Sequence, residues 1–105
     1  MAKVTAGRDL LGGFAPKFAE LNDDVLFGQV WSRENEFAPR DRSVVTVTAL
    51  ITGGNFEQLP FHLRKAQENG ITKEELVEII TQLAFYVGWP KAWCAFNIAK
   101  EIYTD

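Results

Sequence analysis

The only histidine of the chain, His62, is the residue best suited to move a proton near neutral pH. An imidazole with its ordinary pKa of about 6.5 can give or accept a proton there. Apolar residues recur around it at a helical period, at Phe56, Leu59, Leu63 and Ala66. The spacing predicts a helix over 55–69, with Asn55, Gln58 and His62 as a polar stripe along its flank. The stripe is either a site or the flank of a packed helix with a hydrogen-bonded histidine.

Arginines are the second group of candidates, because a planar guanidinium matches a carboxylate in shape and charge. The sequence offers Arg33, Arg40, Arg42 and Arg64 for this role. Taken alone, each is more often a solvated or ion-paired surface residue. Asn55 followed by Gln58 also resembles a helix-capping box. For Trp31, a place in the core or at a subunit contact is the first interpretation, and a place in a pocket wall is the second.

No motif points to a metal or a cofactor. The chain lacks CxxC, HExxH, a P-loop and a GxGxxG after a strand. One histidine and one cysteine cannot complete a closed zinc site within one chain. The single cysteine, Cys94, cannot form an internal disulfide and lies among small and apolar residues, so we interpret it as a packed thiol. A reducing cytoplasm is the predicted location, with no metal and no cofactor.

Composition limits the class of protein. A chain of 105 residues predicts one domain. Its hydrophobic fraction of 47%, with three Trp and eight Phe, predicts a small core that favours self-association. The net charge of −3 and the absence of a basic run argue against nucleic acid as a partner. No apolar run approaches the roughly 18 residues of a membrane span, and the start, MAKVTAGRDL, lacks the apolar core of a signal peptide.

The predicted elements are helical. Residues 1–14 are expected to be a loosely held segment, and residues 15–105 are expected to form the folded domain. A helix is predicted to begin near Pro16, and another to run from an N-cap at Asn22 to Trp31. The β-branched run at 44–48 favours a strand by propensity. The glycine pair at 53–54, which is typical of a helix end, and the lack of a partner strand favour a buried helix over 40–52 instead.

The second half of the chain carries clear helix boundaries. Pro60 disfavours a helix interior, so the helix that holds His62 either starts irregularly or begins near Leu59. Thr72 with Glu75 forms a predicted capping box. The following apolar stripe ends at Gly88, and Pro90 opens the last helix. The fold prediction is an all-α, single-domain bundle of five or six helices.

Four segments together resemble the carboxymuconolactone decarboxylase family. They are VWSR (30–33), RDRSVVTVTAL (40–50), FHLRKAQENGITKEELVEII (61–80) and AFYVGWPKAWCAFNIAKEIY (84–103). The resemblance covers roughly residues 15–104. It implies an alkylhydroperoxidase-like helical fold that assembles into rings, as a homotrimer or homohexamer, with sites near subunit contacts.

The resemblance implies two possible chemistries. One is decarboxylation of 4-carboxymuconolactone, and the other is the peroxiredoxin-type activity of relatives that carry Cys-x-x-Cys-x-x-x-His. Aligned on His62, the two thiols would fall at Asn55 and Gln58, and an upstream glutamate would fall near Ser43. Both thiols are absent, and a dithiol cycle needs a thiolate nucleophile and a resolving thiol. The resemblance therefore favours the decarboxylase chemistry.

The resulting prediction is a cofactor-independent lyase that acts on a small carboxylated lactone or related acid. His62 is predicted as the general acid, with Arg42 or Arg33 holding the remaining carboxylate. Trp31, Asn55 and Gln58 are predicted to contact the substrate. The alternatives are an antioxidant thiol enzyme that uses Cys94, and a non-catalytic oligomer that binds a small ligand.

Overall fold

The computed structural model describes residues 3–104, and within that range the chain is all-α with no strand. Its six α-helices are α1 (Ala6–Leu11), α2 (Pro16–Glu20), α3 (Pro39–Gly53), α4 (Leu59–Glu68), α5 (Lys73–Val87) and α6 (Trp89–Ile102), and a π-helical segment, Leu21–Val30, follows α2. The predicted fold class and number of helices are confirmed. The chain forms two compact units, Met1–Ala38 and Pro39–Asp105, which are described in turn.

The first unit is held together by a buried carboxylate, Asp23. Its oxygens accept hydrogen bonds from the backbone N–H groups of Gly7 at 2.8 Å and Arg8 at 2.9 Å. These are N-terminal donors of α1, which have no partner within their own helix. Burial alone would raise the pKa of Asp23, but hydrogen bonds from Asn22, Arg8 and Gly7 lower it below its ordinary value. Asp23 therefore caps a helix that lies far from it in sequence.

The predicted helix start at Asn22 is wrong. The chain is already helical from Pro16, and at Leu21 the α-helix passes directly into the π-helical segment. The acids after Asn22 look locally like a first helical turn, but Asp23 bonds α1 instead. Helix α1 itself lies within the predicted loosely held segment, 1–14, whose first two residues are outside the described range. The looseness of that segment stays a prediction.

In the second unit, α3 to α6 surround one apolar core. Helix α3 confirms that the β-branched run at 44–48 is helical and buried on one side. The core takes residues from all four helices, among them Val47, Ile51, Leu59, Leu63, Leu76, Ile80, Ala95 and Ala99. Burial of this face overrides the strand propensity of the run, because each buried aliphatic side chain contributes about 1.5–3 kcal/mol.

Glycines end α3 and α4 in the same way. After α3, Gly54 has φ +71°, its N–H donates to Ile51 O, and Asn55 N–H donates to Leu50 O at 2.8 Å. After α4, Gly70 has φ +95°, and Ile71 N–H donates to Ala66 O at 3.0 Å. Both are Schellman endings, for which glycine is favoured because it adopts a positive φ without a steric penalty.

The first of these endings shows that the helix predicted over 55–69 starts later, and it confirms the alternative start near Leu59. Asn55 closes α3, and α4 begins only at Leu59 with Pro60 in its first turn. Pro60 suits that position because its missing N–H would have had no helical partner. The predicted polar stripe on one helix is therefore wrong: Asn55 lies in the turn and Gln58 is the N-cap residue of α4.

The predicted capping box at the start of α5 is confirmed. Thr72 Oγ1 accepts from Glu75 N–H at 3.1 Å, and Glu75 Oε1 accepts from Thr72 N–H at 2.9 Å. Glu75 also forms an ion pair with Arg40, which joins α5 to α3. At the end of α6, Tyr103 OH donates to Ile71 O at 3.0 Å. The predicted helix boundaries at Gly88 and Pro90 are also confirmed.

Removing this cap is expected to destabilise the protein measurably. Thr72→Ala loses the bond from Glu75 N–H and should lower the free energy of unfolding by about 1 kcal/mol. Thr72→Ser keeps the hydroxyl and should remain close to wild type. Urea denaturation at one protein concentration measures both variants. Equal destabilisation by Ala and Ser would show that the Thr72 methyl group, and not the cap, is responsible.

Among the helices of residues 3–104, none combines the length and the apolar character needed to cross a bilayer. The cytoplasmic location stays a prediction.

Candidate functional site

The candidate site is centred on His62, in the first turns of α4. The preceding Leu59 is fully buried and anchors this end of the helix in the core. The imidazole is half-buried, and its Nδ1 atom is withdrawn from solvent. The Phe61 ring meets the imidazole edge to face, with 5.0 Å between ring centroids and an interplanar angle of 84°. His62 thus has its Nδ1 side in the protein and keeps part of its surface exposed to solvent.

Lys65 is a site residue that sequence reasoning missed. It lies three residues after His62, so the two side chains are neighbours on α4. Only 8% of Lys65 is exposed, which is unusual for lysine because burial disfavours its charge. In HLRK, the lysine follows the histidine by three residues, and this spacing could have indicated that the two side chains are neighbours. A lysine at the flank of a helix is normally solvated, however. The structure shows instead a buried lysine whose positive charge acts on the histidine.

This environment sets the protonation state of His62. Burial, and then the positive charge of Lys65, lower the pKa of His62 from 6.5 to about 4. Both act in the same direction, because each disfavours a second positive charge at this place. The imidazole of the unliganded chain is therefore neutral at pH 7. It can hold a proton there only if an anion joins the site.

The shifted pKa of His62 predicts how stability depends on pH. Between pH 6.5 and about 4 the unfolded chain binds a proton at His62 and the folded chain does not. The free energy of unfolding should therefore fall as pH decreases through this window, by about 3 kcal/mol at most. Urea denaturation at pH 7, 6 and 5 measures the slope.

His62→Gln provides the control for this prediction, since it should flatten the slope between pH 6.5 and 5. The pKa values of Asp23, Asp24 and Glu75 are lowered in the folded chain, so these groups change the free energy of unfolding mainly below pH 5, and His62→Gln leaves all three in place. An unchanged slope in His62→Gln would contradict the assignment.

A polar contact sets the register of α3 against α4. Asn69, just after α4, donates from Nδ2 to Ser43 Oγ at 3.0 Å and to Pro39 O at 3.3 Å. The end of α4 therefore lies beside the start of α3, and the two helices are antiparallel. Ser43 is fully buried. Ser43 stands near the position of the glutamate in the thiol relatives. Its hydroxyl accepts a hydrogen bond from Asn69 instead.

The same register locates Arg42. This half-buried residue lies beside Ser43 in the first turn of α3. His62 lies seven residues before Asn69, or about 10 Å along the helix axis at 1.5 Å per residue. Along the axis of the α3–α4 pair, Arg42 therefore lies near the end of α4, whereas His62 lies near its start. Among the other arginines, Arg40 pairs with Glu75.

Two of the predicted site residues belong to the first unit. Trp31 is 4% exposed, and its ring stacks on Phe27 with 6.0 Å between centroids. Arg33 has a side chain that is 58% exposed and lies 3.9 Å from Glu36. Their roles toward a substrate stay predictions.

The positions that would carry thiols in the peroxidase relatives are both at the surface. Asn55 and Gln58 are exposed and precede α4. The capping-box interpretation of this pair is wrong, because Gln58 is itself the N-cap and its side chain makes no cap bond. Cys94 is a half-buried free thiol on α6. In the part of the chain that the structure describes, no three His, Cys, Asp or Glu side chains gather to hold a metal ion.

Comparison with known proteins finds a matching family and three relatives. The profile described as "Carboxymuconolactone decarboxylase family" matches residues 16–101. A 4-carboxymuconolactone decarboxylase of Acinetobacter baylyi is 36% identical over 103 residues, which cover 97% of this chain and 75% of the relative. A nitrosuccinic acid decarboxylase of Metarhizium robertsii is 29% identical, covering 82% of this chain and 59% of the relative. An uncharacterized 15.0 kDa protein of Paracoccus denitrificans is 31% identical, covering 78% and 62%.

Proposed function

The chain belongs to the carboxymuconolactone decarboxylase family, and from this premise we propose that it is a cofactor-independent carboxy-lyase for a small carboxylated lactone or related acid. The observation that carries the proposal is the half-buried imidazole of His62 beside the buried residue Lys65, whose positive charge lowers the pKa of that imidazole. Together they offer a proton carrier and a fixed positive charge, which is what loss of CO2 from an anionic acid requires.

The proposed reaction needs one proton for each CO2 released. The bond between the carboxylate and its carbon breaks, CO2 leaves, and the electron pair moves into the conjugated lactone, onto its carbonyl oxygen. Lys65 stabilises negative charge that develops there, because a preorganised positive charge acts strongly on a transition state. The imidazolium of His62 then gives its proton to carbon and is reloaded from solvent.

Substrate binding supplies the charge balance that makes His62 an acid. In the free chain the pKa of His62 is about 4, so few molecules carry the imidazolium at pH 7. A carboxylate placed beside Lys65 and His62 offsets the positive field and favours protonation. The substrate and one proton therefore enter the site together. Without an anion the same imidazole is neutral and can act only as a hydrogen-bond partner or base.

The second carboxylate of such a substrate has a proposed partner in Arg42. The backbone of Arg42 lies at a level about 10 Å from His62 along the helix axis, a separation that a flexible arginine side chain can partly span. This spacing suits a small diacid held at both ends. Arg33, in the first unit, is the other candidate clamp, and Trp31, Asn55 and Gln58 are the proposed substrate contacts.

We also propose that the chain works as a homotrimer or homohexamer. Large aromatic side chains are exposed where α5 meets α6, at Phe85, Tyr86, Trp89 and Trp93. A contiguous apolar patch of this kind is typical of an interface. Light scattering of the purified protein tests the assembly, and a monomer at micromolar concentration would contradict it.

The function is tested by following CO2 release from 4-carboxymuconolactone and, separately, from nitrosuccinate. We expect turnover of at least one of them without added metal or cofactor. A folded, assembled protein that releases CO2 from neither would contradict the proposed substrate class. A parallel assay with a hydroperoxide and a dithiol tests the thiol alternative, and activity lost in Cys94→Ser would support that alternative instead.

A further inference from the structure

A concave surface lies between α5 and α6, in a part of the second unit that the proposed reaction does not use. It is a groove of about 300 Å³, lined by Lys73, Leu76, Val77, Ile80, Phe96, Ala99, Lys100, Tyr103 and Thr104. Small-molecule sites typically begin at about this volume and are mostly apolar with a few polar groups. The groove therefore has the size and lining of a ligand site.

The floor of the groove is rigid and apolar. Leu76, Ile80 and Ala99 form it and are buried in the core. Ala99 is small, which leaves open the space that a larger side chain would fill. The Tyr103 hydroxyl is directed to Ile71 O at 3.0 Å, so it is already bonded. A ligand that enters here meets mostly hydrocarbon below.

The charged groups of the groove lie at one end. Only Gly88 separates α5 from α6, so the helices are antiparallel neighbours, and the start of α5 lies beside the end of α6. Lys73 is the first residue of α5 and Lys100 is in the last turn of α6. Both lysines therefore belong to the same end, with Thr104, and among residues 3–104 no Asp or Glu lines the groove.

The opposite end of the groove is apolar and elongated. From Lys73 to Ile80 the groove follows α5 for seven residues, or about 10 Å. Ile80 and Phe96 close the far end. The lining thus separates a cationic head region from a hydrocarbon tail region. This is the charge pattern that complements an amphipathic monocarboxylate.

A second copy of the chain is the less suitable occupant. Four large exposed aromatic residues, Phe85, Tyr86, Trp89 and Trp93, lie at the other end of the α5–α6 pair. They offer apolar surface for self-association there, whereas the groove offers a narrow slot with two like charges.

We propose that the α5–α6 groove binds an amphipathic monocarboxylic acid, with its carboxylate between Lys73 and Lys100 and its apolar chain over Ala99. The carboxylate gains two charge-assisted contacts, and the chain covers Val77 and Phe96. Binding here is separate from turnover at His62 and can be measured whether or not the proposed reaction is correct.

The test uses decanoate below its micelle concentration and decan-1-ol as the uncharged analogue. Calorimetry measures affinity, and methyl NMR shifts of Leu76, Val77 and Ile80 locate the ligand. We expect the double variant Lys73→Gln/Lys100→Gln to weaken decanoate about tenfold and to leave decanol within about twofold. Ala99→Leu fills the groove and should weaken both ligands.

Lys17→Gln/Arg64→Gln is the matched control, because it also removes two positive charges, from exposed positions outside the groove. An equal loss in this control would assign the effect to overall charge and overturn the site. The proposal also fails if decanoate does not bind, if decanol is weakened as much as decanoate by the double variant, or if methyl shifts appear elsewhere. Dissociation of the assembly by Ala99→Leu would overturn it in favour of a subunit interface.

Discussion

His62→Gln is expected to lower kcat for decarboxylation by about 10²–10⁴-fold, the usual contribution of a general acid. Glutamine keeps a polar, planar end group of similar reach but cannot carry a proton to carbon. Lys65 still attracts the anionic substrate in this variant. KM should therefore change much less than kcat. Steady-state kinetics on the substrate identified by CO2 release measures both parameters.

Two readouts separate a catalytic loss from a damaged fold. His62→Gln should unfold in urea at pH 7 close to wild type, since the imidazole is neutral there. In the wild type, NMR titration of the single histidine should give a pKa of about 4 in the free protein and a higher pKa with a bound substrate analogue. A kcat that survives the substitution would eliminate His62 as the acid.

The second large effect is expected from Lys65→Met. Methionine retains a long flexible side chain in the buried position but removes the charge, so packing should be largely preserved. Loss of a charge-assisted contact of about 1.5–3 kcal/mol should raise KM for the acid by about 10- to 150-fold. The substitution should also raise the pKa of His62, because the cation that disfavours the imidazolium is gone.

The rise in the pKa of His62 distinguishes this role from a purely structural one. A lysine needed only for packing would leave the histidine titration of Lys65→Met unchanged and would alter the denaturation midpoint instead. Lys17→Met serves as a control, because Lys17 is an exposed residue that pairs with Glu20. If both variants raised KM equally, the effect would come from net charge and not from the site.

Much of the fold followed from local sequence because helix ends have local causes. A threonine and a glutamate three residues apart predict a capping box through bonds that need no other element, and Thr72 with Glu75 forms one. Gly70, Gly88 and Pro90 acted as expected for the same reason. The β-branched run at 44–48 could be interpreted as helical because the stop that follows it is also local.

The failures share a different cause, which is contact between segments far apart in sequence. Asn22 and its acids resemble a helix start, but Asp23 bonds Gly7 and Arg8 across 16 and 15 residues. The polar stripe failed because Asn55 closes α3 through Leu50 O before α4 begins. In both cases a favourable local pattern was overridden by a backbone group that needed a partner.

At the candidate site the sequence alone determined the residue types, the all-α class, the family and the loss of both thiols at Asn55 and Gln58. Only the tertiary structure decided that Lys65 is buried beside His62 and that the free imidazole is neutral at pH 7. The physical reason is that a pKa depends on how much water and charge surround a group. Those surroundings are assembled by packing α4 into the core, and they cannot be deduced from HLRK itself.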